Sequence, residues 1–210
     1  MTEKYPSVLS AWYPHALAVV FILFFALLGI DPVSRDVWVA EVIPVVIVYA
    51  VLVVTFNDFR FSNLAYSLMA VWLFWHTVGG HYTFAHVPFG WVTNLFGFER
   101  NHFDRIGHFS VGFYAYPLAE LVTRKRWCGP VLASLLGVFF IMSVAAGYEI
   151  VEWWFAVVVG GGAGIEFLGV QGDVWDAQKD MLADTVGALL VIALFWLVRP
   201  DRRQSFTGRP

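Results

Sequence analysis

Four aspartates, Asp173, Asp176, Asp180 and Asp184, stand at offsets 0, 3, 7 and 11 in the stretch GDVWDAQKDMLAD. On a helix turning 100° per residue they form one stripe about 80° wide, and Lys179 points away from it. A helix amino terminus favours a carboxylate by a few tenths to about 1 kcal/mol, which accounts for one or two of them but not four. Asp184 falls one turn inside an apolar run, where a charge is costly and turns toward a bundle interior or a cavity. Asp104 and His108, in FDRIGH, are four apart and share a helix face. Such a pair can bind one metal, or the carboxylate can hold the imidazole in one tautomer for proton transfer. The plainer role for Asp104 is a helix cap. Glu149 and Glu152, in GYEIVEWW, also face one way and repel each other unless a cation or a shared proton intervenes, or unless both reach water at a span end.

From Glu149 to Asp184 there are seven acids and one base, Lys179. Arg100 and Arg105 add two positive charges if their loop folds over the stripe. The remaining deficit suits a divalent cation: oxygen ligands with one imidazole fit magnesium, calcium or manganese, and further histidines admit zinc or iron. The candidate metal ligands are Asp104, His108, Glu149, Glu152, Asp173, Asp176, Asp180 and Asp184. The candidate catalytic residues are Asp104 and His108, with His76 and His81 as general bases.

The elements that position these residues follow from composition. Of 210 residues, 59% are hydrophobic and 14% charged, and the mean hydropathy is +0.68. A soluble domain cannot be covered with so little polar surface, so lipid must be its solvent. Apolar runs of the length a bilayer demands predict an all-α, polytopic membrane protein, a single bundle of six transmembrane helices. The spans fall at about 12–30, 37–56, 64–78, 104–122, 131–152 and 181–198, within one domain of residues 1–200. A short basic cytoplasmic tail follows at 201–210. With both termini cytoplasmic, nine lysines and arginines lie inside and four outside, as the positive-inside bias requires. That threading gathers the acids and histidines at the extracytoplasmic face.

The net charge of −3 and the scattered basic residues exclude nucleic acid as a partner. Cys128 alone forms neither a disulfide nor a cysteine metal site. The glycines Gly160 to Gly162 and Gly164 lack the following lysine and hydroxyl of a phosphate-binding loop and read as a turn or a flexible connection. No serine-nucleophile or HExxH motif narrows the chemistry.

The segments HFDRIGHFSVGFYAYPLAE, GYEIVEWW and LGVQGDVWDAQKDMLADTVGAL resemble the uncharacterised bacterial inner-membrane YjdF-like family, and the likeness runs over essentially the whole chain. The resemblance implies a multi-pass protein of the bacterial cell inner membrane and implies no reaction. Three readings follow from the residues. One is a divalent-metal-dependent enzyme acting on a lipid or lipid-linked substrate, with membrane lipid around it. The others are a proton- or cation-linked small-solute transporter, which needs a polar path to the cytoplasmic face, and a structural membrane protein.

Overall fold

The computed structural model describes residues 8–168 and 170–200, all of whose regular structure is helical. The helices are α1 (Val8–Leu28), α2 (Arg35–Thr55), α3 (Asn63–Tyr82), α4 (Gly90–Phe96), α5 (Phe103–Val111), α6 (Ala115–Arg124), α7 (Pro130–Val159), α8 (Gly161–Leu168) and α9 (Asp176–Val198). A 3₁₀ turn, Gly112–Tyr114, joins α5 to α6. The basic tail at 201–210 lies outside the described residues.

Three helices among the described residues are long and apolar enough to cross a membrane: Arg35–Thr55, Pro130–Val159 and Asp176–Val198. Trp12–Leu28 is a shorter apolar helix. The bundle of six spans is therefore corrected to three, and the even-span support for two cytoplasmic termini goes with it. The apolar run at 64–78 continues as helix to Tyr82 and takes in His76, Thr77 and His81, which dilute its hydropathy. The run at 104–122 is interrupted. Pro117 cannot donate to the carbonyl four residues back, and the chain tightens to a 3₁₀ turn just before it, leaving two helices of nine and ten residues. In contrast, the long run after Pro130 is one unbroken helix of 30 residues, about 45 Å at 1.5 Å per residue, with Glu149 and Glu152 in its second half.

Close backbone approach sets the centre of the bundle. A Cβ on Gly187 of α9 would overlap the carbonyl oxygen of Phe109, and one on Gly112 would overlap the backbone of Asp184 and Ala188. Small residues at such a crossing let helices pack backbone to backbone. The result seats Asp184 against α5. Below the crossing, Tyr116, Ala119, Ile141, Val191 and Phe195 make a tightly packed hydrophobic core with Met69 of α3.

The two loops that approach α5 and α9 are stitched together. Gln171 accepts from the Asn101 amide at 2.9 Å and donates to the Asn101 carbonyl at 3.0 Å. The Asn101 side chain donates in turn to the carbonyls of Ala85 and Val87. This lattice holds the segment before α5 over the amino end of α9.

At the opposite end Glu120 is fully buried. It accepts from the Ser62 amide and hydroxyl at 2.8 and 2.7 Å and pairs with Arg124. Ser62 is also the amino-terminal cap of α3, so one carboxylate ties α3 to α6.

Candidate functional site

The site assembles where α5, α7 and α9 meet the upper part of α3 and a turn of α2. Asp176, Asp180 and Asp184 form a stripe on α9 that faces α5, Asp173 lies in the turn before the helix, and the four meet two different environments. At the outer end Asp173 binds Lys179 at 2.7 Å and lies within 4 Å of Arg100 and Arg105. Its carboxyl is held below the ordinary carboxylate range, chiefly by the Lys179 hydrogen bonds. Asp176 pairs with both Arg100 and Arg105, and Asp180 accepts from Arg105 Nε at 2.7 Å. Arg100 from the loop and Arg105 from the first turn of α5 do fold over the stripe and neutralise its outer half.

Farther in, the partner is an imidazole. His108 Nδ1 lies 3.0 Å from Asp184 Oδ2. A carboxylate oxygen there requires the hydrogen on Nδ1, which leaves Nε2 as a ligand atom facing Asp104 at 3.7 Å. Asp104, His108 and Asp180 each offer a ligand atom, and the three atoms lie within 4.8 Å of one another. This trio could coordinate a metal ion. Asp184 Oδ1 and Glu149 Oε1 are buried with no hydrogen-bond partner among the described residues. Glu149 is within electrostatic reach of His108, Asp180, Asp104 and Asp184, and Glu152 within reach of His108, Asp104 and Glu149.

These groups are sunk in the protein: Asp180 is 3% exposed, His108 7% and Asp184 0%. The expected placement at an outer membrane surface gives way to a site inside the bundle, because the Gly112–Gly187 crossing draws α5 and α9 together around it. The structure brings Asp104, His108, Asp180 and Asp184 into one cluster with Glu149 and Glu152 beside it. Asp173 and Asp176 stand apart in the arginine pairs. His81 donates to the Leu28 carbonyl at 2.7 Å and tethers α3 to α1.

His76 belongs to an arrangement that sequence reasoning missed. Its Nε2 lies 3.1 Å from Glu41 Oε2 and 3.0 Å from the Glu41 carbonyl; both are acceptors, so Nε2 carries the hydrogen and Nδ1 is left basic. Tyr148 donates to the same Glu41 oxygen at 3.0 Å. Glu41 is 3% exposed about two turns into an apolar helix, three residues before Pro44. A lone glutamate in such a run was the available signal, since charge at that depth needs a partner or a function.

Both groups border a cavity of about 220 Å³, larger than the ~150 Å³ void that holds a benzene ring. Glu41, His76, Asp104, His108, Glu152 and Asp184 form its polar end, and Pro44, Val48, Val111, Ile141 and Val144 are among its apolar walls. Outside it, in the loop, His102 is held below the ordinary histidine range, first by burial and then by the charges of Arg100 and Arg105.

A family model described as "Predicted membrane protein (DUF2238)" matches residues 13–201. The inner membrane protein YjdF of Escherichia coli (strain K12) is 36% identical over 180 residues, which cover 84% of this chain and 85% of that protein. No solved structure matches. The relative resides in the inner membrane, and the apolar helices agree with a multi-pass location there. With nearly the whole chain matched, the protein belongs to the family of membrane proteins that the DUF2238 model describes.

Proposed function

We propose that the protein is a divalent-metal-dependent membrane enzyme acting on a lipid or lipid-linked substrate. Asp104, His108 and Asp180 hold the cation, and Glu149 supplies a further oxygen. The observation that carries the reading is the convergence of three ligand atoms, with Glu149 in electrostatic reach of all three residues and its Oε1 buried without a hydrogen-bond partner among the described residues. An unsatisfied buried charge is among the most expensive features a fold can carry, and a cation removes the cost. Asp184 on His108 Nδ1 is the arrangement that orients a metal-binding imidazole from behind. A donor set rich in oxygen with one nitrogen suits magnesium, calcium, manganese or zinc.

The cation would polarise a substrate oxygen or activate a water, and His76, with Nδ1 free, is placed to take a proton. The apolar walls receive the hydrocarbon part of the substrate. Transport is disfavoured by what lies between this site and Glu120: the packed apolar core of Tyr116, Ile141 and Phe195, with Glu120 itself locked to Ser62 and Arg124.

Elemental analysis of the detergent-purified protein tests the reading. The wild type is expected to carry close to one metal ion per chain, lost in folded Asp104→Asn and His108→Gln variants. A wild type that holds no metal after incubation with magnesium, calcium, manganese and zinc would sink it.

A further inference from the structure

The same cavity shows which lipids it would accept. Its lining residues include the carboxylates Glu41, Asp104, Glu152 and Asp184 and the imidazoles His76 and His108, with no lysine or arginine among them. A divalent cation at Asp104 and His108 leaves three carboxylates facing one remaining imidazole. Glu41 is satisfied by His76 and Tyr148. Asp184 presents its second oxygen unpartnered at 0% exposure, and Glu152 makes no hydrogen bond or ion pair with any described residue. Around these acids stand the aromatic rings of Trp72, Phe84, Tyr114, Phe140, Tyr148 and Phe167. Carboxylates beside a wall of aromatic faces are the chemistry that recognises organic ammonium groups.

The cavity also has a side facing the bilayer. Phe140 and Val144, which line it, are 52% and 40% exposed on α7, and α2 and α7 flank it without packing extensively on each other. At the polar end α8 contacts both α2 and α7 and inserts the buried Phe167, its ring 4.2 Å from that of Phe155 and tilted 39° to it. The turn into α8 runs through Gly160 and Gly161 at φ 63° and 59°, a conformation that glycine adopts freely.

We infer that this cavity binds a single-chain amphiphile with a primary or quaternary ammonium head, entering from the bilayer between α2 and α7. The head lies against Glu152 and Asp184 within the aromatic wall, and the chain leaves past Val48 and Val144. The inference deepens the lipid-substrate reading and does not need the metal, since an empty metal site only adds negative charge.

The test uses the full-length protein in nanodiscs and a dodecyltrimethylammonium derivative bearing a photoreactive diazirine in the chain beside the head. Labelling is expected on peptides containing Pro44–Val48 and Phe140–Ala145. Unlabelled dodecyltrimethylammonium should displace it at a concentration at least about tenfold lower than dodecyl phosphate requires. Glu152→Gln, and independently Val144→Trp, should each weaken labelling about tenfold, the Val144→Trp variant with metal content unchanged. Displacement by dodecyl phosphate at equal or lower concentration overturns the inference, as does labelling that neither variant alters. Metal without cavity labelling defeats this inference alone; labelling without metal defeats only the metal reading.

Discussion

Glu120 and Asp184 are both completely buried carboxylates, and they are satisfied in opposite ways. Glu120 has two hydrogen bonds from Ser62 and an ion pair with Arg124, so both its oxygens are used. Asp184 has one imidazole on one oxygen and no protein partner on the other among the described residues. Burial is the same; what differs is whether the fold has completed the site. A finished ion pair at one end of the bundle fastens helices, while an unfinished one at the other marks where a ligand belongs.

The largest effect should come from breaking the finished site. Glu120→Ala leaves Arg124 without its carboxylate and frees the cap of α3, a loss of about 3 kcal/mol. Thermal unfolding in detergent should show it as a drop of roughly 6–12 °C, while metal content per folded chain stays at the wild-type value. A drop of only a degree or two would remove Glu120 as a fastening point and weaken the contrast with Asp184.

Gly187→Leu attacks the crossing on which the unfinished site depends. The new side chain meets the Phe109 carbonyl, a fixed backbone atom, so α9 must move away from α5, at a cost of about 2–3 kcal/mol. His108 and Asp184 then separate, and stability and metal binding should fall together. A variant that is destabilised yet binds metal normally would show that the crossing does not position the site.

Much of this pairing was legible in the sequence. The 3.6-residue period put Asp176, Asp180 and Asp184 on one face, though Asp173 falls in the turn before the helix, and the i, i+4 spacing put Asp104 beside His108. The six-span count was not sound, because an apolar run does not reveal a 3₁₀ break at Gly112–Tyr114 or a helix such as α3 that spends its polar residues on a buried interior. Nor did one-dimensional spacing show that Arg100 and Arg105 stop at Asp180. That limit depends on the Asn101–Gln171 link between loops 70 positions apart. Glu41 was visible in its apolar run, but its partners His76 and Tyr148 lie on two other helices.

Asp184→Asn sharpens the comparison from the other side. The amide keeps an acceptor for His108 but removes a buried, half-paired charge, so the thermal midpoint should hold or rise by about 2–4 °C. Metal affinity should weaken about 10–100-fold, the usual cost of losing an orienting partner behind a metal-bound imidazole. Titration of the apo protein with manganese or zinc reads that change. A loss of stability like that of Glu120→Ala, with affinity intact, would make the two carboxylates alike.

The smallest effect tests the loop that separates the arginine-paired half of the stripe from the inner half. His102 sits at the amino end of α5, where burial and the neighbouring Arg100 and Arg105 charges lower its pKa from 6.5. The fold therefore favours the neutral ring. Its contribution is fully present above the unfolded value of 6.5 and is lost as pH falls through the lower folded value, when protonation adds a third positive charge beside two arginines. His102→Gln should leave the midpoint at pH 7.5 unchanged and raise it relative to wild type at pH 5.5, by less than about 2 °C. Each variant is its own reference for the carboxylates that titrate in the same range. The opposite sign, with the wild type gaining stability over the variant on acidification, would mean that Asp173 and Asp176 dominate the field at His102, and that the arginines leave part of the outer stripe negative.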